Sequence, residues 1–62
     1  MIKLINITVS QLEAYRVRGT FYYFETDQGK IGAQVIEIAR IYNGYRVVLD
    51  STWERYLVWL FD

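Results

Sequence analysis

Residues 42–50, "YNGYRVVLD", combine a tight-turn signal with a strand pattern, and the fold is worked out from them. Asn43-Gly44 is the strongest short hairpin signal in the chain, because both central positions of a type I′ turn require a positive φ. The preceding residues 31–42, "IGAQVIEIARIY", are therefore predicted to form a strand that pairs with residues 45–50. The apolar spacing within 33–42 also matches one face of a helix, which is the alternative for this segment.

Further turn and capping signals divide the rest of the chain. Residues 20–26, "TFYYFET", are rich in aromatic and β-branched types and predict a strand; a turn at 27–30, "DQGK", joins it to the next strand. Residues 2–8, "IKLINIT", predict a short strand, and 10–17, "SQLEAYRV", a short helix that opens with a Ser-x-x-Glu capping box. Residues 51–62 contain a second such box and a helical apolar spacing, so we favour a helix there, with a strand as the alternative.

These segments predict one small domain over residues 1–62 of the α+β class. A short N-terminal strand and helix would precede a three-stranded antiparallel meander, and a C-terminal helix or strand would follow it. The alternative is a small SH3-like β-barrel with one short helix, in which the sheet curls and buries one face inside itself. A chain of 62 residues is near the lower limit for folding alone, and its 53% hydrophobic content excludes a disordered tail.

The residue types exclude several classes of chemistry. The chain has no Cys and no His, which removes a disulfide framework, thiolate metal ligands and the commonest general base near neutral pH. Ser10 and Ser51 are better explained as helix caps than as nucleophiles. We therefore expect no enzymatic activity, no cofactor and no metal ion.

The apolar segments are short and the N-terminus is interrupted by polar residues. The longest strongly apolar run, "YLVWLF", is far shorter than the roughly 20 residues that cross a bilayer. Polar residues within "MIKLINITVSQLEAY" break the core that a signal peptide needs. We expect a soluble cytoplasmic protein without a membrane partner.

The predicted sheet is apolar on both faces. Two-residue loops at Gln28-Gly29 and Asn43-Gly44 would place Tyr22, Phe24, Val35 and Ile41 on one face, together with Arg46. The opposite face would carry further Ile, Val and Tyr residues, whereas an antiparallel sheet usually has one polar face that is exposed to water. The short flanking elements are too small to cover both faces. We therefore expect a sheet face or edge to be buried against another chain, either a second copy, which would make a homodimer, or a different protein.

These observations favour a non-catalytic protein-binding module, a small regulator or inhibitor that occupies the surface of a partner protein. Chains of this size and style are frequent among phage and mobile-element accessory proteins. The predicted interaction residues are Tyr22, Phe24, Val35, Ile41, Arg46 and Trp59. Trp59 is chosen because a C-terminal helix would turn Trp53 toward the core and leave Trp59 outside it.

Two other functions are compatible with the sequence. Tyr22, Tyr23, Tyr42 and Tyr45 with nearby Arg residues would form a stacking platform for nucleic acid. Seven basic and seven acidic residues give a formal net charge of zero, which argues against that function. The other alternative is a structural subunit of a larger assembly.

Overall fold

The structure is a computed structural model that describes all residues, 1–62, and contains one helix and four strands. The elements in chain order are α1 (Val9–Arg18), β1 (Tyr22–Thr26), β2 (Gly29–Ile41), β3 (Gly44–Asp50) and β4 (Arg55–Phe61). Neighbouring strands pair antiparallel in the order β1-β2-β3-β4, so one helix and one curled four-stranded sheet make up the chain. The α+β prediction is confirmed at this level, but the sheet has one strand more than the predicted meander.

The additional strand is β4, and the helix that we favoured for residues 51–62 is wrong. Tyr56, Val58 and Leu60 alternate along β4 and pack on the core, while the residues between them face outward. The same residues also fit a helical spacing, so local pattern does not separate the two structures. Pairing with β3 along seven residues decides in favour of the strand.

The N-terminal segment links the two outer strands of the sheet. The Leu4 N–H donates to the Trp59 carbonyl at 2.8 Å, and the Ile5 N–H donates to the Glu25 carbonyl at 3.0 Å. The predicted strand at 2–8 is thus reduced to bridges at Lys3 and Leu4. Because this segment contacts β4 on one side and β1 on the other, it draws the sheet into a half-barrel.

The N-cap of helix α1 lies two residues earlier than predicted, at Thr8 instead of Ser10. Thr8 is the N-cap, and its hydroxyl accepts from the Gln11 N–H while the Gln11 side chain accepts from the Thr8 N–H. Gly19 ends the helix in the left-handed conformation at φ 65°. Leu12 is fully buried, which anchors α1 on the inner side of the sheet.

Both predicted hairpin loops are displaced by one residue. The loops are Asp27-Gln28 and Tyr42-Asn43, and Gly44 already pairs with Ile41 inside the ladder. A Cβ atom on Gly44 would collide with the Leu60 carbonyl oxygen, so the glycine serves close strand packing rather than a type I′ turn. Moving a loop by one residue changes the cross-strand partner of every residue by two positions. Because side chains alternate with a period of two, those before the bulge stay on the predicted faces.

A β-bulge at Ile36 divides β2. Val35 pairs with Leu49, whereas Glu37 pairs with Val48, so Ile36 is an extra residue in the ladder. Up to Val35 the odd-numbered residues of β2 face inward, and beyond the bulge the even-numbered ones do. The prediction that β2 presents the same alternation throughout is therefore wrong.

The inner face of the curled sheet is the core. It is formed by Leu4, Leu12, Phe24, Ala33, Val35, Val47, Leu49 and Val58. Residues from the N-terminal segment and α1 cover this face, so one of the two apolar faces is buried within the chain, as the barrel alternative anticipates. The other face points outward. No helix is long and apolar enough to cross a bilayer.

Candidate interaction surface

Strands β2, β3 and β4 present an apolar grid on their outer face. Beyond the bulge, three rows of cross-strand neighbours are Glu37–Val48–Leu57, Ala39–Arg46–Trp59 and Ile41–Gly44–Phe61. Residues that face each other across antiparallel strands share one side of the sheet. We define the outer patch as the apolar members of this grid, which are Ala39, Ile41, Val48, Leu57, Trp59 and Phe61.

The outer patch is accessible to another molecule. Leu57 is 45% exposed, and the remaining members are half-buried by their neighbours on the same face. At strand spacings of about 4.8 Å and row spacings of about 6.8 Å, each grid position covers roughly 33 Å², so the six apolar positions together cover roughly 200 Å². The patch is therefore small, and its role depends on which side chains it contains.

Ion pairs balance the charges of the outer face. The Arg46 guanidinium lies 3.7 Å from the Glu37 carboxylate, and Arg55 lies 3.5 Å from Asp50. Both pairs are solvent-exposed and contribute little to stability. They matter for recognition, because a partner that covers the patch would bury charges that are already neutralised by an opposite charge. Lys3 adds a cation at the β4 side, with Nζ 5.9 Å from the centre of the Phe61 ring.

The structure separates the predicted interaction residues into two groups. Phe24 and Val35 are buried in the core, so their prediction as surface residues is corrected. Tyr22 lies beside them on the inner side, where its ring stacks on Tyr15 with centroids 4.6 Å apart, although 43% of the residue stays exposed.

Ile41, Arg46 and Trp59 form the second group and lie on the outer face, where the three rows bring them together. The separation from Phe24 and Val35 has a single cause, because the bulge at Ile36 reverses which residues of β2 face outward. Without the bulge, Ile41 would point into the core beside Val35.

Sequence reasoning did not place two highly exposed aromatic residues, Trp53 and Tyr42, at hairpin tips. Trp53 is 93% exposed and Tyr42 is 99% exposed, and each occupies a hairpin tip at opposite ends of β3. The prediction that Trp53 turns toward the core fails together with the C-terminal helix. The Ser51 N–H donates to the Glu54 carbonyl at 2.9 Å, which narrows the β3–β4 loop to Thr52 and Trp53.

The tyrosines of the predicted nucleic-acid platform do not meet on one surface. Tyr22 and Tyr45 belong to the inner face, Tyr42 lies at a hairpin tip, and Tyr23 points outward from β1. Tyr23 instead forms an edge-to-face pair with Phe21, and both rings lie over Gly32. Each of these rings therefore has a packing role or an isolated position.

Three side chains have perturbed pKa values, and none of them belongs to the outer patch. A hydrogen bond to Glu54 raises the pKa of the Tyr56 phenol. Burial between α1 and β1, followed by contact with Tyr22, raises the pKa of Tyr15. The pKa of Arg40 is raised by its hydrogen bond to Asp62, at 3.0 Å. These shifts report local packing at the rims of the sheet.

The surface contains no enclosed pocket and no group of three or more potential metal ligands. No protein-family model, no curated protein and no solved structure matches this chain. The assignment of a function therefore depends on the geometry and chemistry of the outer patch.

Proposed function

We propose that this chain is a non-catalytic protein-binding module, a small regulator or inhibitor that acts by covering a partner protein's surface with its outer patch. One observation carries the proposal. The chain covers the inner face of its sheet with its own residues, while the outer face keeps a group of partly exposed apolar side chains around Arg46. Apolar side chains that a chain leaves exposed together on one face are a feature of interaction sites.

The side chains of the patch fit a protein partner. Trp59 supplies a large aromatic surface in the middle row on β4, and Arg46 beside it on β3 is of a type that is enriched in interface hot spots. Leu57 and Phe61 flank Trp59 along β4 and provide apolar area that a partner would dehydrate. Aromatic residues and arginine are both enriched in protein–protein interfaces, and the outer face places them side by side.

The charges of the outer face disfavour a nucleic-acid ligand. Arg46 and Arg55 are each engaged by a carboxylate, so a phosphate would have to displace Glu37 or Asp50 to reach them. Protein–nucleic acid binding depends on unpaired basic groups that release counterions from the phosphates. Lys3 and Lys30 are the cations of the outer face that form no ion pair with a carboxylate.

Comparative capture tests the proposal. The wild-type chain, Leu57→Asp and Tyr42→Ser are immobilised and exposed to an extract of the source cells, and the retained proteins are quantified by mass spectrometry. Leu57 lies in the outer patch, whereas Tyr42 is more exposed and lies at a hairpin tip. We expect at least one protein to be retained by the wild type and Tyr42→Ser and lost by Leu57→Asp.

The opposite results are equally clear. Retention of the same proteins by all three chains would contradict a role for the outer patch. Binding of single-stranded oligonucleotides that weakens steeply with salt would favour the nucleic-acid alternative instead. Circular dichroism of each variant verifies that the fold is intact.

A further inference from the structure

Strand β2 has a long edge that no other strand pairs with. Residues 34–41 pair with β3 on one side. On the other side β1 pairs only as far as Ala33, opposite Tyr22, so the remaining edge has no strand beside it. An unpaired edge presents a row of backbone N–H and C=O groups that another extended strand can bind.

The regular part of this edge follows the bulge. We define the β2 edge as residues 37–41, "EIARI", because Ile36 interrupts the ladder immediately before it. Ile38 is half-buried on the inner side, and Ala39 and Ile41 are half-buried on the outer side. The edge therefore combines free backbone groups with aliphatic side chains on both faces.

We infer that the β2 edge pairs antiparallel with the same edge of a second copy of this chain, which gives a two-fold symmetric dimer. An antiparallel strand edge is complementary to its own copy, because a two-fold axis brings donors opposite acceptors. Each copy contributes the same edge, so the contact closes at two chains and leaves none of that edge for a third.

The side chains select the register. Facing residues must lie on the same side of the sheet, so one residue of β2 sits at the axis and faces itself. Arg40 at the axis would place two guanidinium groups directly opposite, which is unfavourable. Ile38 at the axis would draw the bulged Ile36 into the ladder.

Ala39 at the axis avoids both problems. In this register Glu37 faces Ile41 of the second copy and Ile38 faces Arg40, so no like charges are opposed. The small methyl groups of two Ala39 residues meet at the centre and allow close approach of the strands. All five residues of the β2 edge then take part in regular pairing.

The dimer and the proposed binding function share Ala39 and Ile41, but the other four members of the outer patch lie on β3 and β4, away from the β2 edge. A two-fold axis perpendicular to the sheet leaves both outer patches on the same side, so edge pairing would not cover them. The dimer would present two patches side by side to a partner with two binding sites. Leu57→Asp therefore tests partner capture apart from dimerisation, because Leu57 belongs to the outer patch and lies outside the β2 edge.

The test is the mass of the full chain in solution, measured by light scattering and sedimentation over a dilution series. We expect the wild type to be a dimer that dissociates on dilution. We expect Ala39→Lys to weaken the dimer by more than about 100-fold, since two lysines would face each other across the axis. Leu57→Lys adds the same charge on the outer face away from the edge and should remain dimeric.

A charge-swap mixture separates loss of pairing from misfolding. Ala39→Lys and Ala39→Glu should each be monomeric alone and should form a mixed dimer when combined. Ala39→Cys, the only thiol in the chain, should form an intermolecular disulfide on mild oxidation, because residues facing each other across antiparallel strands lie within bonding range.

Two results would overturn the inference. One is a wild-type chain that remains monomeric at concentrations up to about 1 mM, the limit of weak specific binding. The other is a dimer that Leu57→Lys dissociates and Ala39→Lys does not, which would place the contact on the outer patch instead of the β2 edge.

Discussion

Val35 and Ile38 lie three residues apart in β2 and yet face the same side of the sheet. Val35 pairs with Leu49 and Ile38 pairs with Val47, and both partners are fully buried residues of β3. The bulge at Ile36 makes this possible, because the additional residue reverses the alternation of β2. It keeps the core continuous along β2 and turns Ala39 and Ile41 outward.

Truncating a side chain on the inner face of β1 is expected to lower the free energy of unfolding far more than truncating one on the outer face. Phe24 is fully buried between α1 and the sheet, so we expect Phe24→Ala to lower the free energy of unfolding by about 3–5 kcal/mol. Tyr23, its neighbour in sequence, points outward, and Tyr23→Ala should cost about 1 kcal/mol or less. Urea denaturation measures both. Equal losses would contradict the assignment of inner and outer faces.

Two glycines of the sheet predict different costs of an added methyl group. Gly44→Ala would push a Cβ atom into the backbone of β4 at Leu60, and we expect a loss of about 2 kcal/mol or more. Gly32→Ala would meet only ring atoms of Tyr23 and Phe21, which can move, and should cost less than about 1 kcal/mol. Thermal unfolding of both variants compares them directly, and a tolerated Gly44→Ala would contradict the close packing of β3 on β4.

Trp53 and Trp59 are expected to respond differently to solvent. Trp53 is solvent-exposed at a hairpin tip, so Trp53→Phe should change the free energy of unfolding by less than about 0.5 kcal/mol. Trp59 is half-buried in the outer patch. Acrylamide should therefore quench the fluorescence of Trp59→Phe, which retains Trp53, more strongly than that of Trp53→Phe. The reverse order would support the C-terminal helix that the structure excludes.

The Tyr56 phenol predicts a loss of stability at high pH. Its O–H donates to Glu54 Oε1 at 2.6 Å, and this hydrogen bond raises the pKa of Tyr56 above the usual value of 10.0. Folding therefore favours the neutral phenol, and the stabilisation is present below about pH 10 and lost as the pH rises through the raised pKa.

Tyr56→Phe isolates this contribution, because the raised pKa of Tyr15 acts equally in both chains. The difference in unfolding free energy between the wild type and Tyr56→Phe is measured by urea denaturation at neutral and strongly alkaline pH. We expect the difference to shrink at alkaline pH. A difference that is constant or grows would show that the hydrogen bond does not favour the neutral phenol.

The sequence predicts the elements whose signals are local. The β-branched and aromatic residues of β1 and β2 identify strands, and Gly19 identifies the end of α1. The hairpins are predicted with loops one residue away from their observed positions. Gly29 and Gly44 were placed inside the turns, but they are the first residues of β2 and β3. Each has a positive φ and pairs with the last residue of the preceding strand.

The remaining features depend on contacts between distant segments. The last strand fits two periodicities equally, and only its pairing with β3 selects one of them. The bulge at Ile36 has no local signal, since neither Gly nor Pro lies beside it. For that reason Phe24 and Val35 were grouped with Ile41 on one face, and of the six residues of the outer patch only Ile41 and Trp59 were predicted.

Thiol accessibility along β2 tests the central claim most directly, namely that the bulge sorts the side chains between the core and the outer patch. The chain has no cysteine, so single variants Val35→Cys, Ile36→Cys, Glu37→Cys and Ile38→Cys each report one position. We expect positions 36 and 37 both to react rapidly with a thiol reagent, between slower reactions at 35 and 38. Rapid and slow labelling that strictly alternates from 35 to 38 would contradict the bulge and the outer patch with it.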